Sequence, residues 1–238
     1  MKYSDRFPEY LQAARFWYNS SMYFLDKFLP EETHELRKKL IHHDLWEKIA
    51  DGSLEKKRLG IFALQDYWLT QQARRIDGLT IASVEDKQLQ QFLIQRLTGK
   101  YKAKGTIIDF GTGVGLQEKD FQQIVPLAGC MALTTFFYWM IDYTSDAEKV
   151  AAIMTSVAVF SDICMQVYKP LMKQYGLNEK QVGFFTVHEQ VEEKIKPMTE
   201  YIEKTFTTKE EKKKIAQAVH LSHEHELLFF DTILTTPI

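Results

Sequence analysis

Apolar residues recur along most of this chain at the three- and four-residue spacing of a helix face. In FPEYLQAARFWYNSSMYFLDKFL, Phe7, Leu11, Phe16, Tyr23 and Phe24 gather near one side. PEETHELRKKLIHHDLWEKIADGSL opens on Pro30 and acids suited to a helix N-terminus, and closes at the turn signal Asp51-Gly52-Ser53. EKKRLGIFALQDYWLTQQARRI repeats apolar residues at Leu59, Phe62, Ala63 and Leu69, and VEDKQLQQFLIQRLTGKY closes on Gly99. A long tract from Asp146 ends at Gly176, and two more amphipathic tracts, 178–206 and 208–234, complete the chain. Gly and Pro number only 11 and 6, so few breaks interrupt these patterns. The pattern predicts an all-α, single-domain bundle of about seven to nine helices.

Two stretches pull against that reading. GTIIDFGTGVGLQEKD, from Gly105, looks like the glycine-rich loop that follows a strand and opens a helix at a nucleotide-like ligand. Such a loop needs a parallel sheet, and GTIIDF is the only strand-like candidate in the chain. The expectation is instead that GLQEKDFQQIVP, from Gly115, forms a loop followed by a short helix, with Leu116 and Phe121 facing inward. The second stretch, IVPLAGCMALTTFFYWMI at 124–141, is 18 residues without a charge, the lower limit for a membrane span. Its flanks, Asp120 and Asp142, show no Lys/Arg asymmetry. It is therefore expected to be the buried central helix of the bundle.

Composition narrows the function classes. Hydrophobic residues make up 45% of the 238, enough for a sizeable core. Lys+Arg number 30 against 32 Asp+Glu, so no basic excess points to nucleic acid. The two cysteines, Cys130 and Cys164, build neither a disulfide scaffold nor a zinc spacing. MKYSDRFPEYLQ lacks the apolar core of a signal peptide, so a cytoplasmic protein with no membrane partner is expected.

Three separated groups of residues resemble a single superfamily: HDLWEKIADGSLEKKRLGIFALQDYWL from His43, YGLNEKQVGFFTVHEQVEEKI from Tyr175, and HELLFFDTI from His225. Together they look like the haem-oxygenase-like helical bundles, the group of thiaminase II (TenA), PqqC and the chlamydial protein CADD. The resemblance covers residues 41–235, leaving 1–40 as an N-terminal helical extension. It implies an internal small-molecule pocket, a homodimer, and an interhelix role for the glycines near Gly115.

The CADD-like branch, to which the resemblance is closest, holds two irons among carboxylates and imidazoles, ligands that keep iron redox-active with open positions. Where that branch carries His-x3-Asp-x2-His, this chain has His188, Glu192 and Ile195. Gln95 and Lys102 stand where it carries Glu-x6-His, and Asp162 stands near its mid-bundle Glu. The resemblance thus implies a degenerate iron site with residual contacts at His188, Glu192 and Asp162, and an oxidase of a small aromatic or amphiphilic substrate.

The thiaminase branch implies different chemistry on the same bundle: hydrolysis of a C–N bond in an aminopyrimidine without metal. Its orienting aspartate corresponds to Asp66, its Cys-x3-Tyr pair to Cys164 and Tyr168, and its proton-handling glutamate to Glu226. Tyr67 joins Asp66 in the pocket, and Cys164 and Glu226 are the catalytic candidates. A third reading is a non-catalytic binding protein on the retained fold. HLSHEHE, with His220, His223 and His225, has spacings that do not share one helix face and reads as surface polarity. Phe136, Phe137, Tyr138 and Trp139 read as core packing.

Overall fold

The computed structural model describes residues 29–102, 105–188 and 191–237, with side chains at 29–98, 105–188 and 195–237. Among them are nine α-helices and no strand: α1 Glu31–Ile41, α2 Asp44–Asp51, α3 Lys56–Ser83, α4 Lys87–Lys102, α5 Thr106–Gly113, α6 Ala128–Tyr143, α7 Asp146–Tyr175, α8 Val191–Thr205 and α9 Lys209–Thr235. A 3-10 helix, Glu118–Gln122, precedes α6, and a single helical turn, Gly183–Thr186, follows α7. The all-α expectation holds. The apolar face of Phe7 to Phe24 lies outside the described residues.

Local chemistry sets the ends of the longest helices. Ser145 and Glu148 form a reciprocal capping box at the start of α7, and Gly176 ends it in the left-handed region at φ 69°. Thr208 and Glu211 cap α9 in the same way. The tract from Pro30 is two helices rather than one. His43 adopts an extended conformation and its side chain accepts from Leu45 N, which closes α1 and caps α2.

α7 and α9 run side by side in the same direction. Ser156 and Ser222 share a hydrogen bond of 2.8 Å, and their N-terminal halves meet in one apolar cluster around Ile153, Met154, Ile215 and Val219. Their C-terminal halves meet in another, around Ile163, Val167, Phe229 and Ile233. α3 runs against both, with Leu59 and Phe62 in the second cluster and Ile81 packed on the first. A buried ion pair, Asp77 with Arg96, clips α3 to α4. α1 and α2 are tied across the bundle by Thr33 to His220 at 3.0 Å and His43 to Asp231 at 3.1 Å.

Three sequence expectations need correction. GTIIDF is not a strand; it forms most of α5, because Ile107 and Phe110 find core partners on helices and override the β-propensity of the two isoleucines. The expected loop and short helix do follow, with Phe121 buried and Leu116 packed on the core. Gly111 makes that packing possible, since a Cβ there would overlap the Phe121 ring and approach Leu116 Cδ1 to 3.1 Å.

The second correction concerns the central helix. α6 begins only at Ala128 and is half exposed: Met131, Trp139 and Tyr143 form an outward stripe, with Trp139 46% and Tyr143 72% exposed. Trp139 is therefore not core, although Phe136 is. The buried central helix is α7, the one described helix long and apolar enough to cross a membrane, and most of its surface is covered by its neighbours. Composition alone does not say which of two apolar helices is covered. Third, α4 does not stop at Gly99 but continues to Lys102.

Candidate functional site

α3, α7 and α9 each bury one of the candidate site residues, among other buried polar groups. Asp66 on α3 is 5% exposed and Glu226 on α9 is 7% exposed. Cys164 on α7 is fully buried within the aromatic-rich cluster. The register of α7 on α9 sets Cys164 and Glu226 about one turn apart, and the charge of Asp66 reaches Cys164. Ser156 beside Ser222 sets Phe160 level with Glu226 one turn further, and Cys164 level with Phe230 a turn beyond that.

Burial of carboxylates is costly unless each finds a partner. Thr70 Oγ1 donates to Asp66 Oδ2 at 3.4 Å. Glu226 Oε2 lies 3.3 Å from His223 Nδ1, one turn earlier on α9. His223 is only 1% exposed, which corrects the surface reading of HLSHEHE. The three histidines diverge: His223 faces inward to Glu226, His220 meets Thr33, and His225 stacks on Phe136 at 4.5 Å. The signal missed was the i, i+3 spacing of His223 and Glu226, hidden among alternating polar residues.

The negative charge of Asp66 reaches both cysteines. Burial pushes the Cys164 thiol well above its ordinary value of 9.0, and Asp66 and Asp162 push it further. Cys130, at the start of α6, is raised by burial and by Asp66. The resting protein therefore holds both as thiols, not as the thiolates that react. The folded state favours these protonated forms, so their contribution to stability is complete below the ordinary thiol value and declines as pH rises past it. A disulfide-exchange reagent at pH 8 is expected to titrate about none of the two cysteines in native protein and both after denaturation. Rapid native labelling would contradict the burial.

The remaining pocket candidates lie further out. Tyr67 turns its ring edge to Phe121 at 5.1 Å, against the 3-10 helix. Tyr168 is half-buried, packed on the core, with Lys169 Nζ 5.6 Å from its ring centre. Gln65, next to Asp66, is buried as well: its Oε1 accepts from Leu127 N at 2.8 Å and its Nε2 donates to Val125 O at 3.2 Å. That pair of bonds stands in for the side-chain cap α6 lacks and fixes α3 against α6.

The iron candidates do not assemble. Asp162 pairs with Arg37 at 3.3 Å, so a fixed cation occupies the carboxylate a metal would need. His188 Nδ1 bonds Phe184 O at 3.0 Å, and its ring sits edge-on to Phe160 and Phe184. Ile195 lies in the apolar cluster of the other half-bundle, and the side chain of Glu192 is outside the described residues. Among the described residues no three His, Cys, Asp or Glu side chains converge as a metal group. The described side chains do not fit an iron centre.

Comparison with known proteins agrees with the architecture. The model of the TENA/THI-4/PQQC family matches residues 30–236. A 4-aminobenzoate synthase of Chlamydia pneumoniae is 22% identical over 173 residues, 71% of this chain and 74% of that protein. Among solved structures, a TenA homolog from Pseudomonas syringae pv. tomato superposes with a TM-score of 0.76 at 12% identity, over 97% of this chain and 98% of that one. A domain with a heme oxygenase-like fold from Shewanella denitrificans gives 0.74 at 14% identity, over 86% and 89%.

Proposed function

We infer a function from one premise: the chain belongs to the TENA/THI-4/PQQC family. We propose that it is an enzyme of thiaminase type, acting on a C–N bond attached to a small amino-substituted aromatic ring held inside the bundle. The observation that carries this reading is the burial of Asp66, Cys164 and Glu226 from three different helices. Thr70 already donates to Asp66, and a carboxylate accepts more than one hydrogen bond, so a ligand amine can add a further donor there. The relative named for 4-aminobenzoate shares that ring class with the aminopyrimidines of the thiaminase branch. The CADD-like oxidase reading has less support, because Asp162 is already paired with Arg37 and Ile195 replaces a ligand.

In this account Asp66 orients the ring through its amine. Cys164 Sγ attacks the ring's activated methylene carbon while the C–N bond breaks, the Glu226 carboxylate taking the thiol proton and passing it to the departing nitrogen. Water then displaces the sulfur, and its proton returns through Glu226 to the Cys164 thiolate. His223 holds the Glu226 carboxyl in one orientation. A ligand amine that donates to Asp66 engages one of the two carboxylates, with Asp162, whose charge raises the Cys164 thiol beyond the effect of burial.

Turnover of an aminomethylpyrimidine conjugate tests the reading. Glu226→Gln is expected to lower kcat by about a hundredfold or more, the usual range for loss of a proton-transferring group, with little change in binding. Equal activity of the variant would remove Glu226 from the chemistry.

A further inference from the structure

One polar group in the interior has no role in that mechanism. Trp46, on α2, is fully buried, and its indole Nε1 has no hydrogen-bond partner among the described residues. A buried tryptophan N–H ordinarily finds an acceptor, because leaving the donor dry forfeits its hydration. The ring is walled by phenylalanines from the three helices that carry the site: Phe230 at 4.8 Å, Phe62 at 5.4 Å and Phe160 at 6.4 Å. Each stands one helical turn from a site residue, Phe230 from Glu226, Phe62 from Asp66 and Phe160 from Cys164. The orphan donor is therefore enclosed by rings that each adjoin a site residue along its own helix.

We propose that the Trp46 indole N–H donates to a neutral hydrogen-bond acceptor at the edge of the ligand ring opposite its amine, making Trp46 a specificity-determining residue. The inference rests on the reading of Asp66 as the amine's partner. It adds what the far end of the ligand must carry: a ring nitrogen or carbonyl oxygen.

Charge decides against a carboxylate there. Asp66 and Glu226 already place two acids in the interior. His43, which like Trp46 packs on Phe230 (at 5.8 Å), is committed to Leu45 N and Asp231. Arg37, a partly buried cation nearby in sequence, is paired with Asp162. An anionic acceptor would enter without a partner charge, and that desolvation outweighs one added hydrogen bond.

Three probes of one scaffold test this by calorimetric titration: aniline with no acceptor, 4-aminobenzamide with a neutral one, and 4-aminobenzoate with an anionic one. The wild type is expected to bind the amide about tenfold more tightly than aniline, as one buried hydrogen bond would give, and the benzoate no more tightly than aniline. Trp46→Phe is expected to erase the preference for the amide and leave aniline unchanged. In the wild type, the Trp46 Nε1–H resonance, assigned by its loss in the variant, moves downfield when the amide binds. A preference that survives in Trp46→Phe, or an unmoved indole resonance, overturns the proposal while leaving Asp66 in place. If no probe binds the wild type, the Asp66 reading itself fails and takes this inference with it.

Discussion

Gly129→Ala is expected to destabilise the protein by about 3 kcal/mol, at the upper end for overpacking a tight contact. α6 and α9 cross with the backbone of one against the other. A Cβ at Gly129 would overlap Leu228 O and come within 2.5 Å of Thr232 Oγ1. The main obstacle is a carbonyl on a helix of 27 residues, so no rotamer change relieves it. The helices must part, and Cys130, Leu133 and Phe230 lose packing with them. For a chain of this size the midpoint of thermal unfolding is expected to fall by roughly 6–12 °C. Gly78→Ala supplies the control. Gly78 lies inside α3 with nothing within 4 Å of its absent Cβ, so alanine there is expected to add about 0.5–1 kcal/mol. Opposite signs at two helical glycines separate close approach from helix propensity. Equal signs would remove the crossing argument.

The second large effect lies in the site. Asp66→Asn keeps the shape of the side chain and replaces a charged acceptor with a neutral amide. A hydrogen bond to a charged group contributes about 1.5–3 kcal/mol, so affinity for an amino-substituted ring is expected to drop about 10- to 100-fold. The same change removes a negative charge that raises both thiols. The ligand-free variant is therefore expected to hold Cys164 with a lower pKa than the wild type, even as it binds substrate less well. Loss of affinity without a change in fold, read by circular dichroism and thermal unfolding, is the expected pair of results. An affinity that does not move would detach the amine from Asp66.

The long helices were legible because each carries an apolar stripe over many turns and ends on residues with cap chemistry, as at Ser145 and Gly176. The pair Ile107-Ile108 misled, since two β-branched residues read locally as a strand while their packing partners are distant helices. The exchange of roles between α6 and α7 has a similar origin. Both are apolar, and only the tertiary arrangement decides that Trp139 faces outward while Val159 does not. Within the site, Asp66, Cys164 and Glu226 stood out through spacing and family resemblance, which report residue type along a helix. His223 did not, because its partner lies one turn away on the same helix and the intervening residues are polar. Trp46 could not be found at all. A lone tryptophan in an amphipathic helix looks like packing until its N–H is seen to lack an acceptor. Asp162 carried the opposite error: its position invited a metal, and its ion pair with Arg37 joins residues 125 apart.

The central claim is that the interior layer of Asp66 and Glu226 receives an amino-substituted aromatic ring. A co-crystal structure with 4-amino-2-methylpyrimidine tests it most directly. The account predicts the ring among α3, α7 and α9, with its exocyclic nitrogen at hydrogen-bond distance, about 2.7–3.2 Å, from the Asp66 carboxylate. Density for the ring on the outer surface alone, or an interior closed by phenylalanine side chains at saturating ligand, would contradict it.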